Sequence, residues 1–111
     1  MKMDRQTDDV FTTFLLEKAA EAKKELKYNP SYFLGMLNSD GAYATVNKLL
    51  SSKTLSDGFT KLWEGGRLDL SIEALVLETE WGQFFDEQLL EQAEYKLKQV
   101  GYAYKRYEAG A

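Results

Sequence analysis

Near the middle of the chain, the run Gly65-Gly66-Arg67-Leu68-Asp69-Leu70-Ser71-Ile72-Glu73-Ala74 leaves the backbone few options. Phe59, Leu62 and Trp63 stand ahead of it at helical spacing. Glycine is the residue that takes up the left-handed conformation with which helices end. One helix therefore stops at this pair, with Trp63 assigned to the core. Asp69 is placed to cap the next helix, which runs on through Ile72, Leu75 and Val76 with apolar residues at helical period. Only Arg67 and Leu68 lie between stop and start, so the two helices must cross at an angle with Leu68 and Leu70 wedged between them.

The rest of the chain repeats this logic of short helices and tight turns. A first long helix, capped at Thr7 or Asp9, carries Phe11, Phe14, Leu15, Ala19, Ala22 and Leu26 on one face and Lys23, Lys24 and Lys27 at its end, where the helix dipole favours cations. Tyr28-Asn29-Pro30 closes it and opens a second helix, with asparagine as cap. Ser39-Asp40-Gly41 and Ser56-Asp57-Gly58 each precede an apolar helical pattern, which capping chemistry used twice explains without an internal repeat. Asp40 is the expected cap of the third helix. Asp86 is the expected cap of a final long helix with the stripe Leu89, Leu90, Ala93, Leu97 and Val100, and Phe85 with Leu90 has the spacing of a hydrophobic staple. Gly101 marks its end. The fold predicted is all-α: one compact bundle of five or six helices over residues 7 to 102, two long helices bracketing short ones. Residues 1 to 6 are expected to fray and residues 103 to 111 to form a tail.

Tyr28-Asn29-Pro30, Leu49-Leu50, Asp57-Gly58-Phe59, Leu62-Trp63 and Gly66-Arg67-Leu68-Asp69-Leu70-Ser71-Ile72-Glu73 together resemble a small helical module of uncharacterised bacterial and phage proteins. The resemblance covers roughly residues 28 to 102. It implies a helical fold, a bacterial or phage origin and a place near, or fused to, nuclease-type proteins. It carries no catalytic motif that transfers to positions of this chain.

Composition narrows the chemistry. With no cysteine and no histidine, the chain has no thiolate nucleophile, no disulfide, and neither the commonest general base nor the commonest transition-metal ligand. Gly65-Gly66 is not a phosphate loop, since no Gly-Lys-Ser/Thr follows it and no strand precedes it. No enzyme activity, cofactor or metal is expected. A net charge of −4 repels nucleic acid and anionic membrane on average, and no apolar run reaches membrane-spanning length. A cytoplasmic location is the expectation.

Two surfaces then compete as partner sites. Glu87, Glu91 and Glu94 share one face of the final helix, and with Trp81 they make a candidate surface for a protein partner. Equally, these acids suit a solvated helix start. Tyr102, Tyr104, Lys105, Arg106 and Tyr107 interleave aromatics with cations, which suits single-stranded nucleic acid, although tyrosines packed back on the bundle explain the same residues. The reading is a non-catalytic protein-interaction module, with a nucleic-acid-associated accessory domain of a nuclease or phage-defence system as the alternative. Whether it acts as a monomer or a dimer is not written in the sequence.

Overall fold

A helix must satisfy its first amides and last carbonyls, and its ends therefore decide where it can lie. In the computed structural model, which describes residues 3 to 108, six helices follow one another. They are α1 (Arg5–Leu26), α2 (Ser31–Asp40), α3 (Ala42–Ser51), α4 (Asp57–Glu64), α5 (Ile72–Glu78) and α6 (Glu87–Gln99). Single 3-10 turns at Leu68–Leu70 and Glu80–Phe84 flank α5, and no strand occurs among the described residues. The fold is an all-α bundle in which α1, with 22 residues, and α6, with 13, bracket four shorter helices.

The central turn forms as its residues dictate. Gly66 takes φ +71°, the Arg67 amide donates to the Leu62 carbonyl and the Gly66 amide donates to that of Trp63, which closes α4 in a Schellman motif. Gly101, at φ +73°, closes α6 in the same way, with Tyr102 donating to Leu97 and Gly101 to Lys98. Leu68 and Leu70 are buried as wedges.

Several caps fall elsewhere than expected. Asp4, not Thr7 or Asp9, caps α1 by accepting the Thr7 amide at 2.7 Å, so the helix starts at Arg5 inside the stretch expected to fray. Ser71, not Asp69, caps α5 by accepting from Ala74 at 3.1 Å, because the 3-10 turn places Asp69 before the helix begins. Ser56 caps α4. Asp86 and Asn29 make no side-chain cap, and Asp86 serves through its carbonyl alone. Asp40 cannot cap α3, since α2 runs on to Asp40 and leaves one residue, Gly41, between the helices. The cap comes instead from α1: Asp8 accepts the Tyr43 amide at 2.9 Å. Asp8→Ala should therefore cost about 1 kcal/mol, the usual worth of a cap, although Asp8 lies mid-turn in another helix. A urea midpoint unchanged from wild type would contradict this role.

The core follows the apolar stripes of the long helices. Phe11 and Leu15 of α1, Val46 and Leu50 of α3, Val76 of α5 and Leu97 of α6 are all but fully buried together. α5 is buried from Glu73 to Leu77 and so runs through the middle of the bundle. Trp63 departs from expectation. It is 49% exposed, because it lies at the edge of the buried face of α4, about 40° round the helix from Phe59 on the side away from Leu62. Trp81 is half-buried, its ring stacked on Phe11 at 4.5 Å and 18°.

Candidate functional site

α1, α2, α4 and α5 meet around a gap that their side chains do not fill. The gap is a cavity of about 480 Å³ that opens to solvent. Its wall is mainly apolar, with Leu15 and Ala19 from α1, Phe33 and Met36 from α2, and Phe59 and Leu75 among the rest. Small Ala19 and Ala22 on the buried face of α1 leave room at this wall, opposite residues of α2 and α4. Lys18, Tyr28, Tyr32 and Asp57 supply the polar side chains along its wall, and Tyr32 is 72% exposed. Burial, with Asp57 adding to it, pushes the Tyr28 hydroxyl above the ordinary tyrosine value.

Two buried polar residues of the α5 start also line this cavity, Ser71 and Glu73. The Ser71 hydroxyl donates to the Leu68 carbonyl at 2.7 Å and accepts the Ala74 amide, so its proton is committed to the main chain. Glu73 is 4% exposed and accepts from Lys96 of α6, 2% exposed, at 3.3 Å. Lys96 also donates to the Leu49 carbonyl at the end of α3 at 3.0 Å, where a cation suits the helix dipole. One ammonium thus joins three helices. Burial pushes the Glu73 carboxyl above the ordinary range, and Lys96 offsets part of that push. Neither residue was singled out from the sequence. The available signal was Ile72-Glu73-Ala74-Leu75-Val76-Leu77, a helix apolar on every side with one acid in it, which places that acid inside the protein.

The two surfaces named from the sequence turn out to face each other. Residues 102 to 108 form no helix and lie back along α5 and α6. Tyr102 donates to Glu78 at 3.2 Å, Tyr104 to Glu94 at 2.8 Å and Arg106 to Glu87 at 2.8 Å, with Glu94 3.9 Å from the same guanidinium. The Tyr107 amide donates to the Leu77 carbonyl at 2.7 Å. Tyr102 and Tyr104 also pack on the core, and burial with Glu78 beside it pushes the Tyr102 hydroxyl up to about 12. Lys105 and Tyr107 remain exposed, and Glu91 stands apart from these contacts beside Lys53, Gln92 and Tyr95. Trp81 belongs to the aromatic cluster with Phe11, Phe14 and Phe84. Ending the chain at Gly101 should cost about 2 kcal/mol, the burial of two partly covered tyrosines. A urea midpoint within error of wild type would show the tail to be only resting there.

Arg67 closes the remaining charged cluster. It donates to Glu25, to Glu21 at 2.7 Å and to Asp69 at 3.0 Å, tying the central turn to α1. Asp69 is held below the usual carboxylate range by this guanidinium, so its contribution to stability is present near neutral pH and is lost as pH falls through that lowered value. All four side chains are partly exposed, and their work is to fix the turn. Among the described residues no group of acids gathers as a metal site would require, and no helix is long and apolar enough to cross a membrane. No protein-family model, curated protein or solved structure matches the chain.

Proposed function

We propose that the protein is a non-catalytic binding module that holds the apolar part of another molecule in the cavity between α1, α2, α4 and α5. The observation that carries this reading is the cavity itself: an apolar space of about 480 Å³ in a chain of 111 residues, within the size range of small-molecule sites. Non-catalytic action is supported by what lines it. The Ser71 hydroxyl gives its proton to the Leu68 carbonyl and not to a base, and Glu73 is tied to Lys96 rather than to a nucleophile. The resemblance over residues 28 to 102 supports a bacterial or phage origin for the module.

The cavity is favoured over the acidic face because Glu87 and Glu94 already hold Arg106, and a protein partner there must first displace the chain's own tail. Nucleic acid is disfavoured on the same ground. Tyr102 and Tyr104 are bonded to carboxylates, and a phosphate backbone would approach through those acids. The test compares affinity purification of wild type, Ala19→Phe and the double charge reversal Glu87→Lys/Glu91→Lys from the native host, with folding checked by circular dichroism. Bound material kept by wild type and by the charge reversal, but lost when phenylalanine fills the cavity, supports the reading. Material lost by the charge reversal and kept by Ala19→Phe moves the function to the acidic face.

A further inference from the structure

The chemistry of the wall restricts what the cavity can hold, an argument that rests on the cavity being the binding site. Of the two buried polar residues that line it, Ser71 has committed its proton and one of its two lone pairs, while the Glu73 carboxylate is the stronger acceptor and has more positions to spare. A carboxylate offers two oxygens with about four lone-pair positions. Among the described residues Lys96 is the one side chain that donates to it, at 3.3 Å and to a single oxygen, Oε2, and the Glu73 main-chain amide is the other group that acts on the carboxyl. A buried carboxylate that borders an apolar space and has lone pairs to spare gains from a donor brought to it, because hydrogen bonds to charged groups are the stronger ones.

Charge narrows the donor further. Glu73 and Lys96 are neutral as a unit and both are buried. An ammonium brought to Glu73 would lie close to the Lys96 ammonium, and a carboxylate would meet Glu73 head on. Asp57 of the wall is exposed and Lys18 only half-buried, so at the depth of Glu73 either charge would be stripped of water among apolar side chains, at a cost of several kcal/mol per ion. A neutral hydroxyl or amide N–H avoids both penalties. We infer that the cavity binds a small neutral amphiphile whose apolar body fills the space between α1, α2, α4 and α5 and whose hydroxyl or amide donates to Glu73. Burial pushes the Glu73 carboxyl up despite Lys96 and its own main-chain amide, and a donor from a bound molecule would oppose that push.

Four probes of one length separate the elements of this inference: decanol, its isomer nonyl methyl ether, decanoate and decylamine. Each is titrated calorimetrically into wild type, into Ala19→Phe, and into Glu73→Leu/Lys96→Met, which removes the buried pair as a unit. Decanol should bind at one site, about tenfold or more tighter than the ether, which follows from a hydrogen bond to a charged acceptor. Decanoate and decylamine should bind more weakly still. Ala19→Phe should abolish binding, and in the double variant decanol should fall to the level of the ether. Equal affinity for decanol and ether, abolished by Ala19→Phe, overturns the donor assignment and leaves the cavity reading standing. Tightest binding of decylamine or decanoate overturns the neutrality. Failure of all four probes, or binding that survives Ala19→Phe, overturns the inference and the cavity reading together.

Discussion

Lys96→Met should destabilise the protein by about 3–5 kcal/mol at pH 7, and most of that loss should disappear in acid. The substitution keeps a four-atom apolar stem and removes the ammonium, leaving Glu73 buried with no cation beside it. A lone carboxylate in that position takes up a proton, so its folded value rises further above the unfolded one. The sign follows from linkage: a carboxyl whose folded pKa is raised costs nothing while both states are protonated, and the cost grows as pH climbs from the unfolded value through the folded one. Urea denaturation of wild type and variant from pH 4 upward should therefore show curves that diverge with pH. Curves separated by a constant amount would mean that lost packing, not the unpaired acid, is responsible. Replacing both partners with apolar residues should recover much of the loss, because a buried ion pair exchanged for hydrophobic side chains is often neutral or stabilising by 1–4 kcal/mol in general. The Leu49 carbonyl, which loses the lysine, keeps the Ser52 amide.

The glycine stop at Gly66, the wedges Leu68 and Leu70 and the stripes of α1 and α6 were legible because each depends on residues three or four positions apart. What was not legible depends on groups far apart in sequence. Asp8 caps a helix whose first turn is 35 residues away, and Arg67 finds Glu21 and Glu25 at separations of 46 and 42. Spacing alone gave Asp40 and Asp69 those duties, since nothing local says that α2 runs to its last residue or that Ser71 opens α5. Trp63 has the helical spacing of a core residue, yet it falls at the edge of the buried face of α4, on the side of Phe59 away from Leu62, and is left half exposed. The acidic stretch and the basic aromatic tail were each legible as a surface with spare charge. That each is the other's counterpart depends on the α6 stop at Gly101, which turns the chain back along the helix it has just left. The cavity left no mark in the sequence, because a space is the result of how far four helices diverge, and no residue type encodes it.

Gly82→Ala should be nearly as damaging, at about 3 kcal/mol or more, for a reason that has no electrostatic part. A Cβ at this position would overlap the carbonyl oxygen of Val76, and a main-chain atom inside a helix cannot rotate away as a side chain can. Relief requires the Glu80–Phe84 turn to lift off α5. That movement draws Trp81 from its stack on Phe11 and disturbs Phe85, which packs at the foot of α6. At about 4–8 °C per kcal/mol for a domain of this size, the midpoint of thermal unfolding should drop by roughly 15 °C. Gly66→Ala supplies the comparison. Gly66 sits at φ +71° with nothing within 4 Å of an added Cβ, so its substitution meets conformational strain alone and should cost about 1 kcal/mol. Near-ultraviolet circular dichroism separates the two, because only the Gly82 variant should weaken the tryptophan bands that arise from the Trp81 stack. A Gly82→Ala protein as stable as Gly66→Ala, with those bands unchanged, would mean that the turn has room the packing denies it. The close approach of turn and helix would then not be what holds Trp81 against α1.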